Sequence, residues 1–257
     1  DLNAEKYDAP EQLWILLNNQ LSGWERLYGR EESEETLSTR FSGIIRRAYE
    51  RTGRQVVVLV DEYDKPLLQA LKDEPLLDEY RKTLKAFYGV LKSSDRYLRF
   101  AFLTGVTKFS QVSVFSDLNQ LVDISMLPQY VTLCGITHGE LERDFEPELR
   151  SLSEQEGTSR EETLQCLTRL YDGYHFSENT VGVFNPFSLL NVLQYSRYDS
   201  YWFQTGTPTF LVELLQGSDY DLRELIDGVE VKASGFSEYR VDSHNPVPLL
   251  YQSGYLT

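Results

Sequence analysis

Asp61 and Glu62 are the residues with the clearest chemical potential, because they follow directly on the run Val56-Val57-Val58-Leu59-Val60. An acid at the end of an apolar strand suits a divalent-ion site. Asp61 would hold Mg²⁺, usually through water, and the ion would neutralise charge on the β- and γ-phosphates of a nucleotide. Glu62 points differently and would orient or deprotonate an attacking water. This order of residues is that of a Walker B element. A plainer role competes with it, in which the two acids open a loop and cap the helix that starts near Pro66.

The positioning element is the run itself. Five apolar residues, four of them β-branched, are too few for a helix and too uniform for a strand with one wet face. The expectation is a central parallel strand buried on both faces, with its ligand at the carboxyl edge of the sheet. After it, Lys65 to Ala70 reads as a short helix, Glu79 to Ser93 as a long amphipathic one, and Arg99 to Gly105 as a second buried strand. Strand, helix, strand makes a parallel βαβ unit. Thr104, near the end of the second strand, stands where such nucleotidases carry a polar sensor. The segment 106–125 then reads either as a lid or as an ordinary surface loop with a short helix near 116–121. It holds Lys108, the candidate cofactor-binding lysine beside Asp61.

Upstream, Asp1 to Asn3 resembles the end of a strand. Leu13, Trp14, Leu16, Leu17 and Leu21 give Glu11 to Leu27 a helical apolar face, and Phe41, Ile44, Ile45 and Ala48 do the same for Leu37 to Arg51, which Gly53 ends. Downstream, Gln129 to Gly135 reads as a third strand and Thr137-His138-Gly139-Glu140 as a capping box. From about Glu146 the pattern is helical, with a second capping box at Ser159-Arg160-Glu161-Glu162 and a helix from Pro186. The fold class is thus α/β: residues 1–145 form a parallel-sheet core of the P-loop nucleoside-triphosphatase kind, incomplete at its N-terminal side, and residues 146–257 a mainly helical subdomain, a winged helix being one form of it.

Composition narrows the functions. The 257 residues are 41% hydrophobic and 13% aromatic, enough for an ample core. A net charge of −15 argues against free-standing nucleic-acid binding, which needs a basic face. No apolar run is long enough to span a membrane, and the expected location is cytoplasmic. Cys134 and Cys166 fall far apart with no histidine at ligand spacing, and are expected to be reduced core thiols. None of the 16 glycines precedes a lysine, so a loop of the form G-x-x-x-x-G-K-[ST] is absent. Its phosphate cradle is absent with it.

The stretches Leu59 to Pro66, Leu103 to Ser110, Phe115 to Asn119, Tyr171 to Phe176, Asn185 to Ser188, Trp202 to Pro208 and Gly254 to Leu256 together resemble the predicted AAA-ATPase-like family, common in Bacteroidetes and other anaerobes. The resemblance covers nearly the whole chain in the family's order. It implies a Mg·ATP-directed module with Mg²⁺ at Asp61, a water-activating or switching role for Glu62 and a sensor at Thr104. Family members usually begin with a strand and a phosphate loop resembling R-P-R-R-F-G-K-S and often end in a nuclease-like domain of the PD-(D/E)xK type. This chain is expected to start after the first feature and stop before the second. The function expected is an ATP-binding or ATPase-like switch for an attached effector domain. The alternative is a degenerate, non-hydrolysing module that recognises protein or nucleic acid.

Overall fold

A computed structural model of the chain describes residues 1–3, 5–105, 114–115, 118, 120–172, 181–201, 212, 215–216, 218, 220–229, 245–252 and 256. It separates into two compact units, residues 1–121 with 214–253, and residues 122–213 with 254–257.

The first unit opens with α1 (Pro10–Tyr28) and α2 (Leu37–Thr52), followed by β1 (Val56–Val60), α3 (Lys65–Gln69), α4 (Glu74–Ser93) and β2 (Leu98–Leu103). Thr36 starts α2 with a capping box to Thr39, and Gly53 ends it at φ 65°, a left-handed conformation that costs glycine little. Asp73 caps α4, which begins five residues before the periodicity suggests because Glu74 and Pro75 suit a first turn. β1 and β2 pair in parallel, Val57 against Phe100 through Val60 against Leu103, with a register shift between Val56 and Val57. They are the only two strands paired into a sheet among the described residues.

The helices α1, α2 and α4 bury Leu13, Leu17, Leu21, Ile45, Leu84 and Leu91, and on this core Phe41 stacks on Phe87 at 4.6 Å between ring centroids. Trp14 departs from the expected stripe: it is half exposed on α1. The sheet corrects a larger expectation. Val56, Val58 and Val60 pack on the helical core, whereas Val57 is 47% and Leu59 67% exposed. Strand alternation sends these two to the opposite face, where Phe100 is exposed as well. β1 is therefore covered on one face, not both.

The second unit comprises α5 (His138–Asp144), α6 (Glu146–Glu156), α7 (Arg160–Tyr171) and α8 (Pro186–Tyr195) around Leu141, Leu149, Leu152, Leu167, Phe184 and Leu189. Both expected capping boxes form, Thr137 with Glu140 and Ser159 with Glu162. The expected strand over 129–135 does not. Pro128–Tyr130 is a 3₁₀ turn, and the Tyr130 and Leu133 amides donate to Leu127 and Tyr130 carbonyls, so the backbone bonds locally. β-branched and aromatic content favours a strand only when a neighbour offers an edge to pair with. Among the described residues Ile136 alone bridges, antiparallel, to Phe184. The cysteines are not core thiols either: Cys134 is exposed and Cys166 half-buried, both free.

Candidate functional site at the strand ends

The carboxyl ends of β1 and β2 are laced together. The Thr104 amide donates to the Val60 carbonyl at 2.8 Å, and the Tyr63 amide donates back to the Thr104 carbonyl at 3.0 Å. Side chains repeat the link, with the Thr104 hydroxyl donating to Asp61 Oδ1 at 2.6 Å. Oδ1 also receives the Glu62 amide at 3.0 Å. Among the described residues no donor is bonded to Oδ2 of this exposed carboxylate. The Asp61 carbonyl meanwhile accepts from the amide of buried Leu2, 3.1 Å away, which ties the start of the chain to the end of β1.

Glu62 is turned by its backbone. Its φ of 53° is unusual for a residue with a side chain and reverses the chain just after the strand. Its Oε2 is buried and without a hydrogen-bond partner. The Lys65 ammonium stands 3.9 Å away, beyond bonding reach. Beneath the turn lie Tyr63 and Asp64, both buried, and the Tyr88 hydroxyl, buried and unpartnered. Burial is the main cause that pushes the Tyr88 and Tyr7 hydroxyls far above the usual phenolic range, with the charges of Asp64 and Glu62 respectively adding to it. Both tyrosines thus stay neutral.

Asp61, Glu62 and Thr104 are brought together as the residue types suggest. Lys108 lies outside the described residues, as do the aromatic segment 173–176 and the stretch 202–208. Sequence reasoning missed Asp64, which the third acid of Asp61-Glu62-Tyr63-Asp64 signals only faintly. It also missed a pair in the second unit. There His138 Nε2 lies 2.7 Å from Asp172 Oδ2, and its ring stands 4.6 Å from that of Phe184. The histidine borders an open cleft of about 420 Å³ with Glu142, Glu161, Gln165 and Arg169.

A Mg²⁺ ion fits the strand-end site on chemical grounds. Among the described residues no three His, Cys, Asp or Glu side chains form a metal-binding group, so a cage built from protein alone does not arise there. Magnesium in nucleotide sites instead takes one or two carboxylates plus phosphate oxygens and water. One exposed acid with a bonded hydroxyl beside it is that kind of donor set.

These features define an α/β protein whose parallel strands present an acid pair and a hydroxyl at their carboxyl ends. Residues 1–115 match the AAA-ATPase-like family, described as predicted AAA-ATPase. The chain is also 41% identical over 218 residues, 85% of its length, to a protein of Azotobacter chroococcum mcd 1 described as an uncharacterized protein in the vnfD 5′ region. It spans about 40% of that relative's length. No solved structure matches it. No helix among the described residues is long and apolar enough to cross a membrane.

Proposed function

We propose that this chain is part of a Mg·ATP-directed ATPase-like module that acts as a switch for an attached effector domain. The observation that carries this reading is the 2.6 Å hydrogen bond between Thr104, just past the end of one parallel strand, and Asp61, just past the end of the other, with Glu62 next in line. In this reading Asp61 holds Mg²⁺ beside the phosphates, through Oδ2 or a bound water. Thr104 fixes the rotamer of Asp61 and senses the phosphate end. Glu62, whose side chain is partly exposed, would orient an attacking water or accept its proton. Lys108 is proposed as a phosphate contact. No glycine precedes a lysine in these 257 residues, so a loop of the form G-x-x-x-x-G-K-[ST] is not among them.

The test is binding of a fluorescent ATP analogue with and without Mg²⁺, on this chain and on one carrying a phosphate loop ahead of Asp1. Mg²⁺-dependent saturation in the longer chain, lost in Asp61→Ala, supports the reading. Absence of binding in both chains overturns it. The second reading, a non-hydrolysing interaction module, draws support from the exposed apolar face of Val57, Leu59 and Phe100, and takes over in that case.

A further inference from the structure

The open cleft of the second unit, bordered by the His138–Asp172 pair, takes no part in the strand-end chemistry. Its volume of about 420 Å³ is that of a pocket for a small molecule. On α7, Glu161, Leu164, Gln165, Thr168 and Arg169 line it. Steps of three and four residues put such side chains on one face of a helix. His138 and Glu142 line it from α5.

The charges in this cleft are sorted by sign. At the start of α7, Arg160 is shared between Glu142 at 3.1 Å and Glu146 at 3.0 Å. Glu161, the next residue, has no ion pair among the described residues, so this end holds more acid than base. Arg169 lies eight residues further along α7, about 12 Å of helix rise. Its guanidinium reaches the Cys166 sulfur at 3.9 Å and, among the described residues, no carboxylate. Opposite charges left over at the two ends of one groove suit a ligand that carries both.

Neutral groups narrow the class of that ligand. His138 Nε2 lies 2.7 Å from Asp172 Oδ2, at the Arg169 end. A neutral imidazole bonded to a carboxylate in this way keeps its proton on Nε2 and leaves Nδ1 as an acceptor. Beside an arginine that binds a carboxylate, an acceptor suits a neighbouring N–H. Gln165 offers both a carbonyl and an amino group, the complement of a peptide unit. Leu164, which also packs against the core of the unit, supplies an apolar surface.

We infer that this cleft binds short peptides with free termini: the carboxylate on Arg169, the last peptide N–H on His138 Nδ1, and the ammonium group at Glu142 and Glu161. An extended tripeptide spans about 10 Å, close to the separation of the charges. The inference is independent of the reading of Asp61 and Thr104.

The experiment titrates the isotope-labelled whole chain with the tripeptides Ala-X-Ala, X being Leu, Ser, Lys or Glu, and follows backbone amide shifts by NMR. Saturable shifts at Leu164, Gln165 and Arg169 are expected with at least one peptide at concentrations below about 10 mM. Acetylating its N-terminus or amidating its C-terminus should each weaken binding at least about fivefold. Free alanine, which has both charges and no peptide N–H, should bind at least about tenfold more weakly. In Glu142→Gln/Glu161→Gln the acetyl group should then cost less than about twofold, and in Arg169→Gln the terminal amide likewise, because each modification removes the same contact as its variant. These three side chains are exposed, so the variants keep the fold.

Absence of saturable shifts with all four peptides overturns the proposal. So does binding that ignores both terminal modifications, or penalties that survive removal of the matching charge. Alanine bound as tightly as the tripeptide overturns the assignment to peptides. The terminal modifications are read on the unmodified chain, so they decide the matter even where a variant is lost.

Discussion

The hydroxyl of Thr104, the residue after β2, lies 2.6 Å from Oδ1 of Asp61, the residue after β1, and among the described residues Oδ2 has no hydrogen-bond donor. One oxygen is used to fix the side chain, and in the proposed reading the other is left for a ligand. Thr104→Val keeps the volume and removes the donor, so Asp61 loses its orientation and the pair loses about 0.5–1.5 kcal/mol of stability. In a chain that carries a phosphate loop, affinity for Mg·ATP is expected to fall on the order of tenfold, about 1.4 kcal/mol. Thr104→Ser keeps the donor and should stay within about threefold of the unmodified protein, a difference under 1 kcal/mol. Equal losses in the two variants would remove the hydroxyl from the argument.

Arg40 is a buried cation of the first unit. Its Nε and Nη2 donate to the two oxygens of Glu25 at 2.7 and 2.9 Å, and Nη1 reaches Asn18 at 2.6 Å. Arg40→Met takes both hydrogen bonds from Glu25 and leaves it Arg30 at 3.8 Å as the nearer remaining cation, at a cost of about 1–3 kcal/mol in urea unfolding. The hydrogen bond from Arg40 is the largest cause that holds the Glu25 carboxyl below the usual range, with burial opposing it. A carboxylate depressed in the folded state contributes stability above its unfolded pKa and loses it as pH falls through the folded one. Glu25→Gln should therefore narrow the stability difference between about pH 7 and pH 3, measured by urea midpoints.

Gly43 tests a neighbouring clamp. A Cβ there would fall 1.7 Å from Glu34 Oε1 and 2.8 Å from Arg47 Nη1. Glu34 and Arg47 form a two-pronged pair, and Arg47 also donates to the Tyr28 and Gly29 carbonyls at 3.1 and 2.8 Å. Gly43→Ala should lower stability by about 1–3 kcal/mol through overpacking, despite alanine's higher helix propensity. Glu34→Ala in the same chain removes the obstructing atom. The double variant is then expected to lose less than the sum of the singles, read from thermal unfolding.

What could be read in advance follows how local each signal is. Capping boxes at Thr137 and Ser159, the stop at Gly53 and the stripes of α2 and α4 are set by neighbours within one or two turns, and the structure has them. The placement of Asp61, Glu62 and Thr104 just past the strand ends was legible because the apolar runs before them mark the strands. The close approach of Gly105 to Asp64 was not, since the two are forty-one residues apart and glycine leaves no chemical signature. The run 129–135 failed for a related reason. Its residue types suit a strand, yet Tyr130 and Leu133 close their amides into turns.

The two faces of β1 give the sharpest contrast between sequence and packing. Val58 and Leu59 are adjacent, similar in hydrophobicity and indistinguishable in a run of five apolar residues, but Val58 rests on the helical core and Leu59 is 67% exposed. Truncating a core residue removes transfer energy and leaves a cavity, so Val58→Ala should cost about 1–3 kcal/mol. Leu59→Thr removes contacts with little but solvent and should cost within about 0.5 kcal/mol, β propensity being kept. Phe100→Thr, directly opposite Val57 on the same face, should behave like Leu59→Thr. Urea midpoints of the three variants measure the difference. A loss at Leu59 equal to that at Val58 would mean that this face is covered in solution, because burial alone makes the two positions equivalent.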